Sequence, residues 1–339
     1  MQIKAFNNFA ELDPLSDEWN ETLACCSASH VPFLRYEYLR AWWQFLGGGE
    51  WTHGDLFTVV ARHPDGQLAG IAPLFFSENR QNEPALMLLG SIEISDYLDL
   101  IASAPELDTF VEALMDFLAS DQAPAWSVLD LYNIPEASPT LPALKAAADR
   151  RGWAYAQEML QPCPQIPLPG DWEVYLASID KKQRHEIRRK MRRADEHPVR
   201  WYIAGAENNI DAEIEDFLTL MAHDPDKGRF LTPAMRSQMH GIATAAFQAG
   251  WLQLAFMEVD GKKAAGYLNF DYAGHIWVYN SGLDFEFREL SPGWVLLGER
   301  LRWANENQRI AFDFMRGDED YKYRFGGISR FIVRASVRR

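Results

Sequence analysis

The stretch LQLAFMEVDGKKAAGY, residues 252–267, reads as an apolar strand, an Asp260-Gly261 turn and a second strand. Asp-Gly between two apolar runs marks a hairpin, because both turn positions favour positive φ. The same order occurs once before: LFTVVARHPDGQLAGI, residues 56–71, sets Asp65-Gly66 between comparable runs. Each hairpin follows a helix-like segment opened by a Phe-Leu pair, Phe33-Leu34 running to Phe45 and Phe230-Leu231 running to Phe247. Working outward, residues 88–100 and 276–285 each read as a further strand, and residues 107–118 and 294–304 as amphipathic helices. Leu129-Asp130-Leu131 and Phe312-Asp313-Phe314 then read as closing strands. One unit is therefore written twice, and helices alternating with paired strands predict an α/β fold with helix-covered sheets. Four prolines, Pro162, Pro164, Pro167 and Pro169, predict an extended connector between units at residues 1–165 and 166–339.

Composition agrees with two globular units. The chain has 339 residues, 47% hydrophobic and 24% charged, with 18 Pro and 22 Gly, which excludes disordered, collagenous and coiled-coil classes. No apolar run approaches the ~20 residues of a membrane helix and the start lacks a signal pattern, so the expected address is the cytoplasm. Cys25, Cys26 and Cys163 build no disulfide framework or zinc pair, and the histidines lack ligand spacing, so no metal is expected. A net charge of -15 argues against general nucleic-acid binding. That average hides a segregation: residues 181–193 carry eight Lys or Arg against Glu186 alone. They read as a helix with Arg184, Arg188 and Arg192 on one face, either a solvated surface or a grip for an anionic ligand.

Arg288-Glu289-Leu290-Ser291-Pro292-Gly293-Trp294 opens the helix of the second unit. Ser291 suits the cap and Pro292 the first helical position. Gly293 is the odd residue, since glycine in a helix costs about 0.5–1 kcal/mol relative to alanine. A missing Cβ at a helix N-terminus lets a diphosphate reach backbone amides and the positive end of the dipole. The first unit supplies a control, because its helix opens Ala104-Pro105-Glu106-Leu107, with a carboxylate that would repel phosphate. The expectation is a phosphorylated donor on the second unit only, with the first serving as a substrate platform.

The series Arg288-x-x-Ser291-x-Gly293 resembles the signature of GNAT-fold acyltransferases, with serine replacing its first glycine. Over nearly the whole chain the order of segments is similar to that of the CelD/BcsL-type acyltransferases, relatives of the Fem peptidyltransferases with two GNAT-like units in tandem. The pieces that carry this are Pro32-Phe33-Leu34 with Trp42-Trp43, Ala72-Pro73-Leu74, residues 95–99 (Ser95 to Asp99), the basic helix, Ser291-Pro292-Gly293, and residues 313–322. The resemblance implies a mixed, mostly antiparallel sheet in each unit and transfer of an acyl group from acyl-CoA to an amine by direct attack in a ternary complex. Arg288, Ser291, Gly293 and Trp294 are the candidate donor-binding residues, and Tyr97, Asp99, Arg184 and Arg188 the candidate acceptor-binding residues.

An alkyl amine is mostly protonated at neutral pH, so acyl transfer to it requires a base. Asp313 and Asp96 are the candidate bases. Lys322 is placed to neutralise a phosphate or polarise the thioester, and Tyr321 to protonate the departing thiolate. Tyr279 and Asn280 are candidates to line the donor channel. Serine-hydrolase, phosphate-loop and dinucleotide motifs are absent from the sequence. Three alternatives remain: an aminoacyl-tRNA donor on the basic helix, an acyl carrier protein docked there, and a non-catalytic module binding an envelope or polysaccharide precursor.

Overall fold

The computed structural model describes residues 1–339, and packing divides the chain into one unit of Met1–Gln161 with Phe331–Arg339 and another of Pro162–Arg330. The first begins β1 (Gln2–Phe6), α1 (Phe9–Leu12), α2 (Ser16–Ala24) and α3 (Tyr36–Gly49). It continues β2 (Asp55–Leu56), β3 (Thr58–Arg62), β4 (Leu68–Ala72), β5 (Leu74–Glu78), β6 (Pro84–Leu88), α4 (Leu107–Ala119), β7 (Val128–Pro135) and α5 (Thr140–Arg151). The boundary falls within β8 (Ala154–Pro167). The second unit follows with α6 (Trp172–Ser178), α7 (Lys181–Asp195), β9 (Val199–Ile203), α8 (Ile210–Ala222), α9 (Pro225–Phe230) and α10 (Pro233–Gln248). Then come β10 (Leu252–Val259), β11 (Lys262–Tyr272), β12 (His275–Leu283), α11 (Pro292–Glu306), β13 (Ala311–Asp313), α12 (Asp320–Arg324) and β14 (Ile328–Arg338).

The duplicated hairpins form as read, with β3 antiparallel to β4 and β10 antiparallel to β11. At the second turn Asp260 (φ 50°) and Gly261 (φ 74°) are both left-handed, as a two-residue turn between twisted strands requires. Each unit holds one parallel strand pair, β6 with β7 and β12 with β13, joined through α4 and α11 respectively. Parallel neighbours need such a crossover, so this is the three-dimensional form of the repeat. The pairs β1–β3, β2–β5, β5–β6 and β7–β14 of the first unit and β9–β10, β11–β12 and β8–β13 of the second are antiparallel, and helices flank the sheets: the fold is α/β, with one topology written in both units. No helix is long and apolar enough to cross a membrane.

Two expected elements differ. Residues 88–100 are not a strand: after β6 the chain leaves the sheet, and its buried backbone bonds to side chains instead. Trp51 Nε1 donates to the Ser91 carbonyl at 2.7 Å, Tyr38 Oη to that of Ile94 at 2.8 Å, and Asn133 Nδ2 to those of Ile92 and Ser95, both at 2.7 Å. The helix expected to open at Phe230-Leu231 begins instead at Pro233, Phe230 being the last residue of α9, because Thr232 caps the start through the Met235 amide (3.2 Å) and Pro233 takes its first position.

In the second unit α6, α7 and α11 share a core with Ala255, Met257, Tyr267, Ile276 and Val278 on one sheet face. On the other face α8 approaches β12 so closely that a Cβ on Gly282 would lie 2.5 Å from the Met221 amide nitrogen. Arg300 is fully buried on α11, its guanidinium 4.7 Å from the Trp303 ring and 6.0 Å from that of Trp201, and burial lowers its pKa to about 9.

Candidate active site

Where β12 parts from β13, the second unit opens a cavity. The two strands pair only over His275–Trp277 and Ala311–Asp313. One residue further along β12 the register against β11 slips, Leu268 facing Asn280 and Asn269 facing Val278, so Tyr279 is the extra residue of a bulge. The chain then runs through Ser281 and Leu283, folds a short 3-10 segment (Phe285–Leu290), and turns into α11 through Ser291.

That turn departs from the expected cap. Ser291 is left-handed (φ 52°, ψ 52°), and its side chain makes no capping bond. Its carbonyl accepts from the Trp294 and Val295 amides at 3.0 and 3.1 Å. Pro292 has no N–H, so the Gly293 amide is the one donor of the first turn left for an anion. The missing side chain of Gly293 also has a packing cause, since a Cβ there would meet Leu283 Cδ2 at 2.7 Å.

The cavity at this turn measures about 400 Å³. Arg288, Ser291, Gly293 and Trp294 line it, as does Tyr321. Sequence reasoning missed Lys190, Tyr267, Ser281 and Asp284. Lys190 comes from α7 and sits 4.2 Å from the Trp294 ring centre. Tyr267 reaches across from β11, its hydroxyl donating to the Gly293 carbonyl at 3.4 Å. Burial holds the phenols of Tyr267 and Tyr321 well above their ordinary pKa, so both stay protonated at neutral pH. Asp284 is the carboxylate on the lining; it accepts from the Glu286 amide at 2.9 Å and lies 4.0 Å from His223 Nδ1.

Other candidates stand elsewhere. Asp313 is buried, accepts from the Met315 amide at 2.7 Å, and alternates with Phe312 and Phe314, which point into the α11 side of the sheet; it does not line the cavity. Lys322 is buried too, its ammonium donating to the carbonyls of Met315 (3.3 Å), Arg316 (2.6 Å) and Gly317 (3.3 Å) and pairing with Glu319 (2.9 Å). That charge is committed to its own loop, not presented to a ligand. Asn280 accepts from Lys227 Nζ at 3.0 Å, and the Tyr279 ring packs 5.0 Å from Phe270; neither lines the cavity, although their neighbour Ser281 does. Arg188 pairs with Glu173, and Arg184 donates to the Leu176 and Ala177 carbonyls at 3.3 and 3.4 Å.

Asp96, Tyr97 and Asp99 belong to the first unit. Asp96 is partly exposed and Tyr97 buried. Asp99 is enclosed, accepting from Ser138 Oγ at 2.5 Å and from the Leu100 amide at 2.8 Å, an arrangement that anchors a turn and leaves no surface for a substrate. Burial pushes its carboxyl up to about 6 from 3.8. A raised carboxyl pKa stabilises the fold through its protonated form, fully below about pH 3.8, and that contribution is lost as pH rises through about 6. Asp99→Asn is therefore expected to flatten the dependence of melting temperature on pH between about 4 and 7. An unchanged slope would show that Asp99 does not titrate in this window.

With this geometry in place, residues 181–323 match the acetyltransferase (GNAT) domain family. No curated protein matches the chain. Among solved structures it is similar to FemX, at 11% identity and a TM-score of 0.70 over 99% of this chain and 97% of that one. A conserved protein of unknown function from Bacteroides thetaiotaomicron gives 13% identity and a TM-score of 0.61, with both chains covered completely (100%). L-PGS from Bacillus licheniformis gives 13% and 0.56 over 94% of this chain and 90% of that one. At such identities these likenesses establish the fold.

Proposed function

We propose that the chain is an N-acyltransferase of the CelD/BcsL type, moving an acyl group from a pantetheine thioester such as acyl-CoA to an amine acceptor, with the donor seated on the second unit. The observation that carries this reading is the cavity at the start of α11. One open backbone amide, Gly293, shares it with two cations, Lys190 and Arg288, and with the aromatic walls of Tyr267, Trp294 and Tyr321. The amide and the cations suit a phosphate, and the apolar walls suit the pantetheine chain behind it.

The residues divide the chemistry. Ser281, two residues past the bulge of β12, borders the channel and can hold the thioester against the acceptor, which contributes to rate by removing the entropy of encounter. Asp284 is placed to take the amine's proton, directly or through a water. Tyr321, kept protonated by burial, gives a proton to the sulfur as the C–S bond breaks. The first unit, whose corresponding helix opens at Glu106, serves as the acceptor platform.

Thiol release from an acyl-CoA panel with mixed amines tests this. Tyr321→Phe should lower kcat by about 10- to 100-fold with donor KM changed less than about twofold, the pattern of a lost transition-state proton donor. Equal loss in KM alone would make Tyr321 a binding residue. Absence of both thiol release and coenzyme A binding would favour the non-catalytic module for an envelope or polysaccharide precursor.

A further inference from the structure

We propose, resting on the acyl-transfer reading above, that the thioester reaches this cavity on the phosphopantetheine arm of an acidic acyl carrier protein that docks on the exposed face of α7. The face is defined by helix geometry. At 100° per residue, Lys181, Lys182, His185, Arg189, Arg192 and Arg193 fall within one third of the circumference, and all six are exposed. Opposite them Ile187, Met191 and Ala194 are buried in the core.

Charge on this face exceeds what the protein's own acids neutralise. Glu186 takes Arg189 and Lys190, and Glu173 takes Arg188. Lys181, Lys182, Arg192 and Arg193 have no acidic partner within ion-pair reach, in a chain of net charge -15. Four uncompensated cations on one helix, in a chain of net negative charge, complement a small acidic partner over a strip about 18 Å long. A polynucleotide presents phosphates well beyond such a strip and would meet the acidic remainder.

The cavity borders the same helix. Lys190, about 60° round α7 from the edge of the strip, lines the cavity beside Trp294, so a partner held on the strip stands beside the donor site. The first turn of α11 offers a single open amide, and acids stand close by: Asp284 on the lining, with Glu286 and Glu289 in the adjoining 3-10 segment. One amide with Lys190 and Arg288 matches the single phosphodiester of a carrier arm. The three phosphates of coenzyme A would need more donors and would meet those carboxylates. In the transfer itself the amine nitrogen bonds to the acyl carbon and the C–S bond breaks. The carrier's thiol departs with one proton, balancing the one lost by the amine.

The test compares a bacterial acyl carrier protein bearing an octanoyl group with octanoyl-CoA, each titrated into the full chain by fluorescence anisotropy or calorimetry. The carrier is expected to bind at least about tenfold more tightly; the combined variant Lys182→Glu, Arg192→Glu, Arg193→Glu should lose at least about tenfold for the carrier and less than about twofold for octanoyl-CoA. The neutral set Lys182→Gln, Arg192→Gln, Arg193→Gln should lose an intermediate amount, which separates docking from a folding defect. Octanoyl-CoA binding as tightly as the carrier, with the reversals without effect, overturns carrier docking and leaves the acyl-transfer reading standing. Binding of unfractionated tRNA in place of the carrier, lost on the same reversals, overturns it in favour of RNA. Binding of neither thioester overturns both.

Discussion

Replacing Gly293 by Asp is expected to weaken acyl-CoA binding by about 30-fold, or about 2 kcal/mol, without loss of the fold. The first turn of α11 has one amide to give, that of Gly293, because Pro292 lacks a proton and the next two amides bond to the Ser291 carbonyl. A carboxylate on that residue competes for the amide and repels the phosphate. The helix itself does not suffer, since an acid in the first turn complements its dipole. The new Cβ does meet Leu283 Cδ2, but that atom is the free end of a flexible side chain and can move. Gly293→Ala isolates this packing adjustment and should change affinity by less than about threefold. Calorimetric titration gives both affinities, and thermal melts show whether the fold persists. Wild-type affinity in Gly293→Asp would remove the phosphate from this turn.

Lys322→Met is expected to destabilise the second unit by about 3 kcal/mol, because it strips the donor from three carbonyls and leaves Glu319 without its cation. The loop it ties contains Met315 (φ 59°) and Gly317 (φ 118°), two left-handed positions that the ammonium helps to hold. Tyr321, next in sequence and on the cavity wall, should shift when the loop relaxes, so donor affinity should fall together with melting temperature. A fall in turnover at an unchanged melting temperature would restore to Lys322 the chemical role that its sequence neighbourhood suggests.

The contrast between these two residues shows what a sequence displays. Gly293 stands out because glycine is conspicuous inside a helix start, and the cavity forms around it, although part of its cause is the neighbouring Leu283. Lys322 misleads because its partners are backbone carbonyls of its own loop, which no side-chain pattern reveals. The hairpins at Asp65-Gly66 and Asp260-Gly261 were legible from turn chemistry, and the basic helix from charge and period together. Residues 88–100 were not, since a buried apolar run looks alike whether its backbone bonds to a strand or to Trp51, Tyr38 and Asn133. Tyr267 and Ser281 were missed for a related reason: residues on neighbouring strands become cavity walls only when register and bulge bring them to the start of α11, and each reads as ordinary core in isolation.

A crystal structure of the protein with a non-hydrolysable acyl-CoA analogue tests the account most directly. A phosphate on the Gly293 amide between Lys190 and Arg288, with the pantetheine passing Tyr267 and Tyr321, is the predicted result. An analogue bound at the start of α4 beside Glu106, or elsewhere on the first unit, would contradict it.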